Sequence, residues 1–257
     1  MTRAAHDGEG RWDFYFFVVD GRPCSTMLDL SLIAKAPDAT RPWLLSVRLP
    51  LREPRPDGLT TNAEASELGK LEDSLVRALD AHCGGVFVGR MTWNGVRDLF
   101  FYLQRTETLE QALAAGLSGG TPRRLMTRKQ RDPEWRHYLD VLYPGPLEWR
   151  WIEDRRLVET LAAAGDKSDI ARPIEHLASF ASREAAEAWA LSVKQMGFEV
   201  EIERTDGDGR WSAHAVREDR SELAHVHDIV ERLYGLAEEQ EGTYQGWECA
   251  VVRGHDA

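Results

Sequence analysis

The sequence predicts an α+β protein of two domains, the first an antiparallel sheet with helices on one face and the second a small split-βαβ sandwich. Three observations support this prediction. The chain has 257 residues, more than the roughly 100–200 typical of one domain. A Pro-Gly-Pro break at Pro144 to Pro146 separates residues 1–146 from residues 147–257. The second part then alternates strand and helix patterns in the order βαββαβ, which is the order of a ferredoxin-like fold.

The C-terminal domain begins its predicted sandwich with a strand at Ile174 to Leu177. Ser182 is the predicted N-cap of the helix that follows, and Gly197 stands where a left-handed cap is needed. From Phe198 to Glu203 apolar side chains alternate with carboxylates, which is typical of a half-buried strand. The apolar side of the helix is predicted to consist of Ala185, Ala188, Trp189 and Met196.

The rest of this domain reverses direction twice. A turn over residues 205–209, rich in Asp and Gly, predicts a hairpin partner that begins at Trp211. Ser221 is the predicted N-cap of a second helix, and a strand from Tyr244 to Val252 closes the unit. Both helices are expected to cover one face of the sheet and to leave the other face available.

The N-terminal domain opens with a predicted hairpin, Trp12 to Val19 with Cys24 to Ala34, and a third strand from Arg41 to Leu49. A proline-rich loop then leads to a helix that starts at Asn62 and ends at Gly84. Its leucines recur every three or four residues, so one side of this helix is expected to pack on the sheet.

A second hairpin follows that helix. The Asn94-Gly95 pair between two apolar runs is the strongest short hairpin signal in the chain. Thr106 is the predicted N-cap of another amphipathic helix, which is expected to end at Gly119 and Gly120.

Five short segments of the C-terminal domain resemble, in order and spacing, the bacterial regulator of ribonuclease activity B family. They are Arg156 to Glu159, Gly165 to Asp169, Ile174 to Leu177, Gly197 to Val200 and Tyr244 to Trp247. The resemblance implies a ferredoxin-like fold. It also implies a protein that binds the non-catalytic part of ribonuclease E and alters RNA turnover without cutting RNA itself.

The N-terminal domain resembles unknown-function domain family 695, which is found alone and joined to the ribonuclease regulator domain. The segments that carry the likeness are Trp12 to Tyr15, Asn62 to Leu79, Gly89 to Thr92, Arg97 to Leu103 and Asp132 to Trp135. This resemblance implies no activity.

The net charge of −11 belongs to the C-terminal domain. From residue 148 onward there are 24 Asp and Glu against 13 Lys and Arg, whereas the preceding part holds 19 of each. A strongly acidic domain repels phosphate backbones, so an arginine-rich protein segment is the expected partner. The alternative is that the acidity serves solubility alone.

Three carboxylates, Glu199, Glu201 and Glu203, are the candidate partner-binding residues. Their strand lies at the sheet edge in the usual split-βαβ order, where charge also protects against aggregation. An extended basic peptide can add to such an edge while its arginines meet the carboxylates. The interpretation we favour is a non-enzymatic regulator whose acidic domain binds a basic region of ribonuclease E or a related RNA-processing protein.

A direct RNA binder is one alternative. The basic tract consists of Arg123, Arg124, Arg128, Lys129 and Arg131. Tyr102 and Trp135 are aromatic candidates for stacking on bases beside it. A tract that alternates basic and polar residues is more often the solvated face of an edge strand.

A small-molecule-binding protein or enzyme that uses an interdomain cleft is the other alternative. It rests on nine tryptophans and on an aromatic helix predicted from Leu147 to Ala164. His176 and His214 lie on strands expected to be neighbours, but no third metal donor is identifiable. The sequence contains no phosphate-binding loop and no hydrolase or zinc motif. We therefore predict no catalytic residue, metal site or cofactor.

The three cysteines, Cys24, Cys83 and Cys249, form no Cys-x-x-Cys pair and favour a reducing compartment. The apolar run nearest the N-terminus, Phe14 to Val19, is far shorter than the roughly 20 residues of a membrane helix. These features predict a soluble, cytoplasmic protein.

Overall fold

The structure is a computed structural model that describes residues 10–118, 123–205 and 209–253. The chain divides between Gly145 and Pro146 into two compact units, called here the N-terminal and the C-terminal unit. Each unit holds one antiparallel sheet with helices packed on it. The predicted α+β fold class is therefore confirmed.

The N-terminal unit has a six-stranded sheet whose strands follow the order β1-β2-β4-β5-β3-β6. Every pairing in it is antiparallel. The strands are β1 Trp12–Val19, β2 Arg22–Asp29, β3 Trp43–Pro50, β4 Val86–Trp93, β5 Val96–Leu103 and β6 Met126–Arg131.

Two hairpins of this sheet turn through two residues with positive φ. Asp20 and Gly21 have φ of 49° and 71°, and Asn94 and Gly95 have φ of 46° and 78°. Two left-handed residues in succession match the right-handed twist of the flanking strands. The hairpin predicted from the Asn-Gly pair is therefore confirmed.

Two α-helices belong to this unit, α1 Asn62–Cys83 and α2 Leu109–Leu117. The α1 helix begins where it was predicted, and its first N–H groups are capped by the hydroxyl of Thr61, which accepts from the Glu64 N–H. The prediction that Thr106 caps α2 is wrong. Thr108 precedes that helix instead, and its hydroxyl donates to the His82 carbonyl at 2.7 Å. The predicted helix end at Gly119 and Gly120 lies outside the described residues.

The helices α1 and α2 cover one face of the six-stranded sheet. Their buried Leu68, Leu75 and Leu79 pack on a layer of sheet residues that includes Leu45 and Phe101. The opposite face is covered by the segment 132–143, which contains one turn of π-helix, His137–Leu142. The hydroxyls of Tyr15 and Tyr138 tie this segment to the sheet, donating to the carbonyls of Leu142 and Asp29 at 3.0 and 2.8 Å.

The C-terminal unit has a four-stranded sheet in the order β10-β7-β9-β8. Numbered within the unit, this is the strand order 4-1-3-2, and it confirms the predicted split-βαβ, ferredoxin-like arrangement. The elements are α3 Pro146–Ala163, β7 Arg172–Phe180, α4 Arg183–Gln195, β8 Glu199–Arg204, β9 Trp211–Asp219, α5 Leu223–Glu239 and β10 Thr243–Cys249. The predicted turn over residues 205–209 lies partly outside the described residues.

The helices α4 and α5 pack on one face of this sheet and enclose its core. As predicted, the hydroxyl of Ser182 caps α4 by accepting from the Ala185 N–H at 3.2 Å. Gly197 follows the helix with φ of 89°, a left-handed value that favours glycine. Of the predicted apolar side of α4, Trp189 is fully buried and Ala185 and Met196 pack against the core, while Ala186 and Val193, which were not predicted, are buried as well.

A buried ion pair joins the start of the C-terminal sheet to its end. Asp166 pairs with Arg172 and accepts from the Val252 N–H at 2.7 Å and from the Ser221 hydroxyl at 3.1 Å. The prediction that Ser221 caps α5 is therefore wrong, since its hydroxyl is engaged by Asp166 and Glu222 stands at the N-cap position.

Candidate functional site

The candidate site is the face of the C-terminal sheet that lies opposite α4 and α5, called here the open face. Strand β8 explains its chemistry, because Val200 and Ile202 pack against the core while Glu199, Glu201 and Glu203 point the other way and are exposed. Because apolar and acidic residues alternate along β8, all three predicted carboxylates lie on the open face.

The cross-strand register extends this carboxylate row over the whole sheet. Glu199 on β8 and Glu175 on β7 both pair with Val216 on β9, and Glu248 on β10 pairs with Glu175. Directly paired residues lie on the same face of a sheet. One line across all four strands therefore carries three carboxylates, on β10, β7 and β8.

His214 lies at the centre of the open face, paired in register with Glu201. Its Nδ1 is 2.6 Å from Oε1 of Glu175, and its Nε2 is 3.2 Å from the Ser212 hydroxyl and 3.5 Å from Oε1 of Glu203. Glu199 and Glu201 form no ion pair with any residue that the structure describes. The open face therefore carries negative charge that this unit does not balance.

The centre of the open face forms a shallow depression of 860 Å³. It is lined by Glu175, Glu199, Glu201, Ile202, Glu203, His214 and Val216. Its shape and composition suit a charged, extended ligand better than an enclosed small molecule, since binding pockets for small molecules are mostly apolar and enclosed.

The two histidines considered as a pair are on opposite faces of the sheet. His214 pairs in register with Leu177, which directly follows His176 on β7. Successive side chains of a strand point to opposite faces of the sheet, so His176 and His214 lie on different faces. His176 is buried, its Nδ1 is 2.7 Å from the Tyr244 hydroxyl, and burial lowers its pKa to about 4. Within residues 10–118, 123–205 and 209–253, no group of three His, Cys, Asp or Glu side chains is arranged to hold a metal.

Tyr244 and Trp247 belong to the core of the C-terminal unit. The indole of Trp247 donates to Oδ1 of Asp154 at 2.8 Å. Asp154 is 3% exposed, and burial raises its pKa to about 7. Sequence reasoning missed this carboxyl, although a signal was present: Asp154 lies three residues after Trp151 and seven before Leu161, in the apolar stripe of α3.

The basic tract of the N-terminal unit is divided by the fold. Arg124 is exposed, and Arg128, Lys129 and Arg131 lie exposed on β6, the edge strand. Arg123 instead points inward, its Nη1 2.7 Å from Oε1 of Glu64. That neighbourhood holds the pKa of Glu64 below its ordinary value: burial raises it, but the backbone N–H of Arg52 and the Arg123 guanidinium more than offset this.

The two aromatic residues considered for base stacking are inside the N-terminal unit. Tyr102 and Trp135 are both buried and stack on each other, their ring centroids 4.1 Å apart. The Tyr102 hydroxyl donates to Oδ2 of Asp132 at 2.5 Å. Neither ring presents a face to a ligand, so the exposed basic residues have no aromatic platform from this pair.

Fold and site together define a class: a two-domain α+β protein whose second domain is a ferredoxin-like sandwich with an acidic open face. Residues 10–143 match the family described as Family of unknown function (DUF695), and residues 151–249 match Regulator of ribonuclease activity B. The chain belongs to both families, to the first through its N-terminal unit and to the second through its C-terminal unit. Both sequence resemblances are confirmed.

A curated relative supports the second assignment. It is Regulator of ribonuclease activity B from Shewanella denitrificans, 30% identical over 105 residues, which are 39% of this chain and 81% of the relative. The match to this regulator thus concerns the smaller part of the chain.

Two solved structures show weak likeness to about four-fifths of the chain. One is an unknown protein from Galdieria sulphuraria, with 13% identity, a TM-score of 0.23 and coverage of 81% of this chain and 98% of the other. The other is a putative glycine cleavage system transcriptional repressor, with 10% identity, a TM-score of 0.25 and the same coverage. At these TM-scores neither likeness bears on fold or function.

Among the described parts of the chain, no helix combines the length and the apolar character needed to cross a membrane.

Proposed function

We propose that this protein regulates a ribonuclease by binding a basic segment of it on the open face, and that it catalyses no reaction itself. Membership in the Regulator of ribonuclease activity B family supports the regulatory role. The observation that carries the binding mode is the gathering of Glu175, Glu199, Glu201 and Glu203 on one face of the sheet around His214.

The spacing of these carboxylates suits an extended basic peptide. Alternate residues of a strand lie about 7 Å apart on one face, so Glu199, Glu201 and Glu203 form a row with that period. A partner segment in extended conformation presents alternate side chains with the same period, and arginine pairs with carboxylates through two parallel hydrogen bonds. Strand β8 is also the last strand of its sheet, so a peptide can add beside it through backbone hydrogen bonds.

The partner we propose is a basic region in the non-catalytic part of ribonuclease E or of a related RNA-processing protein. Such a segment binds RNA through the same positive charges that the open face would occupy. Binding on the open face would thereby compete with RNA or with other partners of that segment and change RNA turnover. We place this activity in the cytoplasm, which agrees with three free cysteines.

The chemistry of the described residues supports a role without catalysis. Several strongly shifted groups are buried and held by structural partners inside the two units, among them Tyr102 by Asp132, His176 by Tyr244, and Asp154 by Trp247. An active site instead exposes such groups to a substrate in a cleft. The carboxylates of the open face are exposed and serve binding better than proton transfer.

A charge-reversal experiment tests the proposal. The double variant Glu199→Lys with Glu201→Lys is compared with Glu231→Lys with Glu239→Lys, which makes the same charge change at two exposed positions of α5. Affinity for fragments of ribonuclease E is measured by calorimetry at several salt concentrations. We expect at least a tenfold loss of affinity in the first variant, little change in the second, and weaker wild-type binding as salt increases.

Two results would overturn the proposal. One is retention of neither the catalytic nor the non-catalytic fragment by the wild-type protein at low salt. The other is an equal loss of affinity in both double variants, which would make net charge, and not the open face, the cause of binding.

A further inference from the structure

Two edge strands of this chain carry charges of opposite sign. Strand β6 ends the six-stranded sheet and β8 ends the four-stranded sheet, and among the described strands they pair only with β3 and β9, respectively. All six residues of β6 are exposed, and so are the three glutamates of β8. The outer backbone groups of an edge strand can pair with a strand of another molecule.

The charges on these edges select the strand that can be added. Like charges directly opposite each other destabilise a strand pair. Strand β6 has three basic residues and no acidic one, and β8 has three glutamates against one arginine, so neither strand pairs well with a second copy of itself. The other two edges of the described sheets, β1 and β10, each hold a single acidic residue. The best match in charge is therefore β6 with β8.

One antiparallel register joins these two strands over their full length. Each strand has six residues, and this register gives every one of them a partner. It places Glu201 opposite Lys129 and Glu199 opposite Arg131, so both pairs of opposite charge lie on the same face. An antiparallel shift by two residues loses one of these pairs or places two arginines opposite each other. Charge therefore favours this register among the antiparallel ones.

We propose that β6 of one copy of this chain adds to β8 of a second copy and covers its acidic edge. The occupant is thus a basic strand that the fold already holds in extended form. Because the two copies use different surfaces, the contact is head-to-tail, and each pair keeps one unused β6 and one unused β8 that can recruit further copies. The inference does not rest on the proposed function, since self-association can occur whether or not a ribonuclease binds.

The contact is expected to be weak. Two exposed strand edges form a small interface, and small interfaces are typical of transient complexes, so we expect a dissociation constant on the order of 100 µM at low salt. Most copies are then separate at low micromolar concentration, and the β8 edge is available to another basic segment. Self-association covers this edge only where the chain is concentrated.

Sedimentation velocity of the full chain, from low micromolar to submillimolar concentration, tests the proposal. The average mass should rise with concentration at low salt and stay at the monomer value at high salt. Reversal of β6, Lys129→Glu with Arg131→Glu, and reversal of β8, Glu199→Lys with Glu201→Lys, should each weaken association at least tenfold. An equal mixture of the two variants should associate again, because each supplies the strand that the other lacks. The chain with all four substitutions should also associate, since opposite charges meet again in the same register.

The matched control is Glu231→Lys with Glu239→Lys, which makes the charge change of the β8 variant at two exposed positions of α5 and should associate as the wild type does. The four reversed positions are exposed, so the variants are expected to fold, and urea unfolding checks this. Should the β6 reversal not fold, Lys129→Gln with Arg131→Gln removes the same charges and should weaken association several-fold.

Three results would overturn the proposal. They are a wild-type chain that stays monomeric throughout at low salt, a mixture of the two reversed variants that does not associate, and a control variant that loses as much association as the β8 variant. No ribonuclease is present in these measurements, so their outcome is separate from that of the test of the proposed function.

Discussion

The buried acidic residues Glu64 and Glu72 of the N-terminal unit pair with arginines, whereas the carboxylates of β8 on the open face of the C-terminal unit are exposed to solvent. Glu64 pairs with Arg123 at 2.7 Å, and Glu72 pairs with Arg90 at 2.5 Å. Among the residues that the structure describes, the carboxylates of the open face have one partner of opposite potential charge, His214. The same residue type is thus part of the interior in one unit and available for binding in the other.

Because of this difference, the net charge of −11 indicates a binding function for the C-terminal unit and not for the N-terminal unit. The N-terminal unit holds equal numbers of acidic and basic residues, and several of them form ion pairs inside the unit, which fix a fold without attracting a distant partner. Clustered charges of one sign create a field that steers an oppositely charged ligand to the surface. Substitutions of the paired, buried charges in the first unit should therefore change stability, and those on the open face should change binding.

Glu72→Gln should produce the largest effect on stability. Glu72 is a fully buried residue of α1, where its charge acts on Arg97, a buried arginine whose guanidinium donates to the hydroxyls of Thr92 and Thr60. Without that carboxylate Arg90 loses its ion-pair partner and Arg97 loses a nearby negative charge, and we expect the free energy of unfolding to fall by about 3–5 kcal/mol. Urea unfolding measures it.

The matched control is Glu110→Gln, a change of the same chemistry at an exposed position of α2. It should lie within about 0.5 kcal/mol of the wild type. Equal stability of the two variants would contradict this prediction, because the buried carboxylate of Glu72 would then contribute no more to stability than an exposed one.

Asp154→Asn should change the pH dependence of stability. The pKa of Asp154 is raised from 3.8 to about 7 in the folded state, so this state holds a proton that the unfolded chain has lost. The stability from this group is present below pH 4 and is lost as pH rises toward 7, by about 4 kcal/mol at most. The variant should therefore match the wild type near pH 4 and exceed it at pH 8.

In the Asp154→Asn variant, His176 determines the remaining dependence of stability on pH. Its pKa is lowered from 6.5 to about 4, so its stabilising contribution is present above pH 6.5 and is lost as pH falls through 4. Chemical denaturation from pH 4 to pH 8 should show stability that rises with pH in Asp154→Asn more steeply than in the wild type. Parallel curves of stability against pH for the two proteins would show that the pKa of Asp154 is not raised in the folded state.

The features that the sequence predicts best are local. The Asn94-Gly95 turn, the Ser182 cap and the alternation from Phe198 to Glu203 each depend on residues that are adjacent or nearly so. The strand order of the C-terminal sheet followed from the βαββαβ order because that connection has few compact solutions.

The features that it missed depend on contacts between distant residues. Ser221 has the chemistry of an N-cap, but its hydroxyl bonds to Asp166, 55 residues away in the chain. Asp154 meets Trp247 across 93 residues, and no local pattern distinguishes it from a solvated helix position except its place in an apolar stripe. Arg123 likewise pairs with Glu64, so one member of the apparent basic tract belongs to the interior.

The smallest effects are expected at β6, which like β8 is an edge strand but carries positive charge. Arg128→Gln with Arg131→Gln removes two exposed cations, and the free energy of unfolding should change by less than about 0.5 kcal/mol. The affinity for a basic ribonuclease fragment should also remain within twofold of the wild type, because these residues lie outside the open face. Urea unfolding and calorimetry at 0.15 M salt measure both quantities.

The corresponding pair on β8, Glu199→Gln with Glu201→Gln, sharpens this last test. Both double variants remove two exposed charges from an edge strand, so both should leave stability nearly unchanged. Only the β8 pair should weaken binding, by several-fold, and the loss should shrink as salt increases. A loss of single-stranded RNA binding in the β6 variant would instead assign the binding function to the basic edge strand of the N-terminal unit.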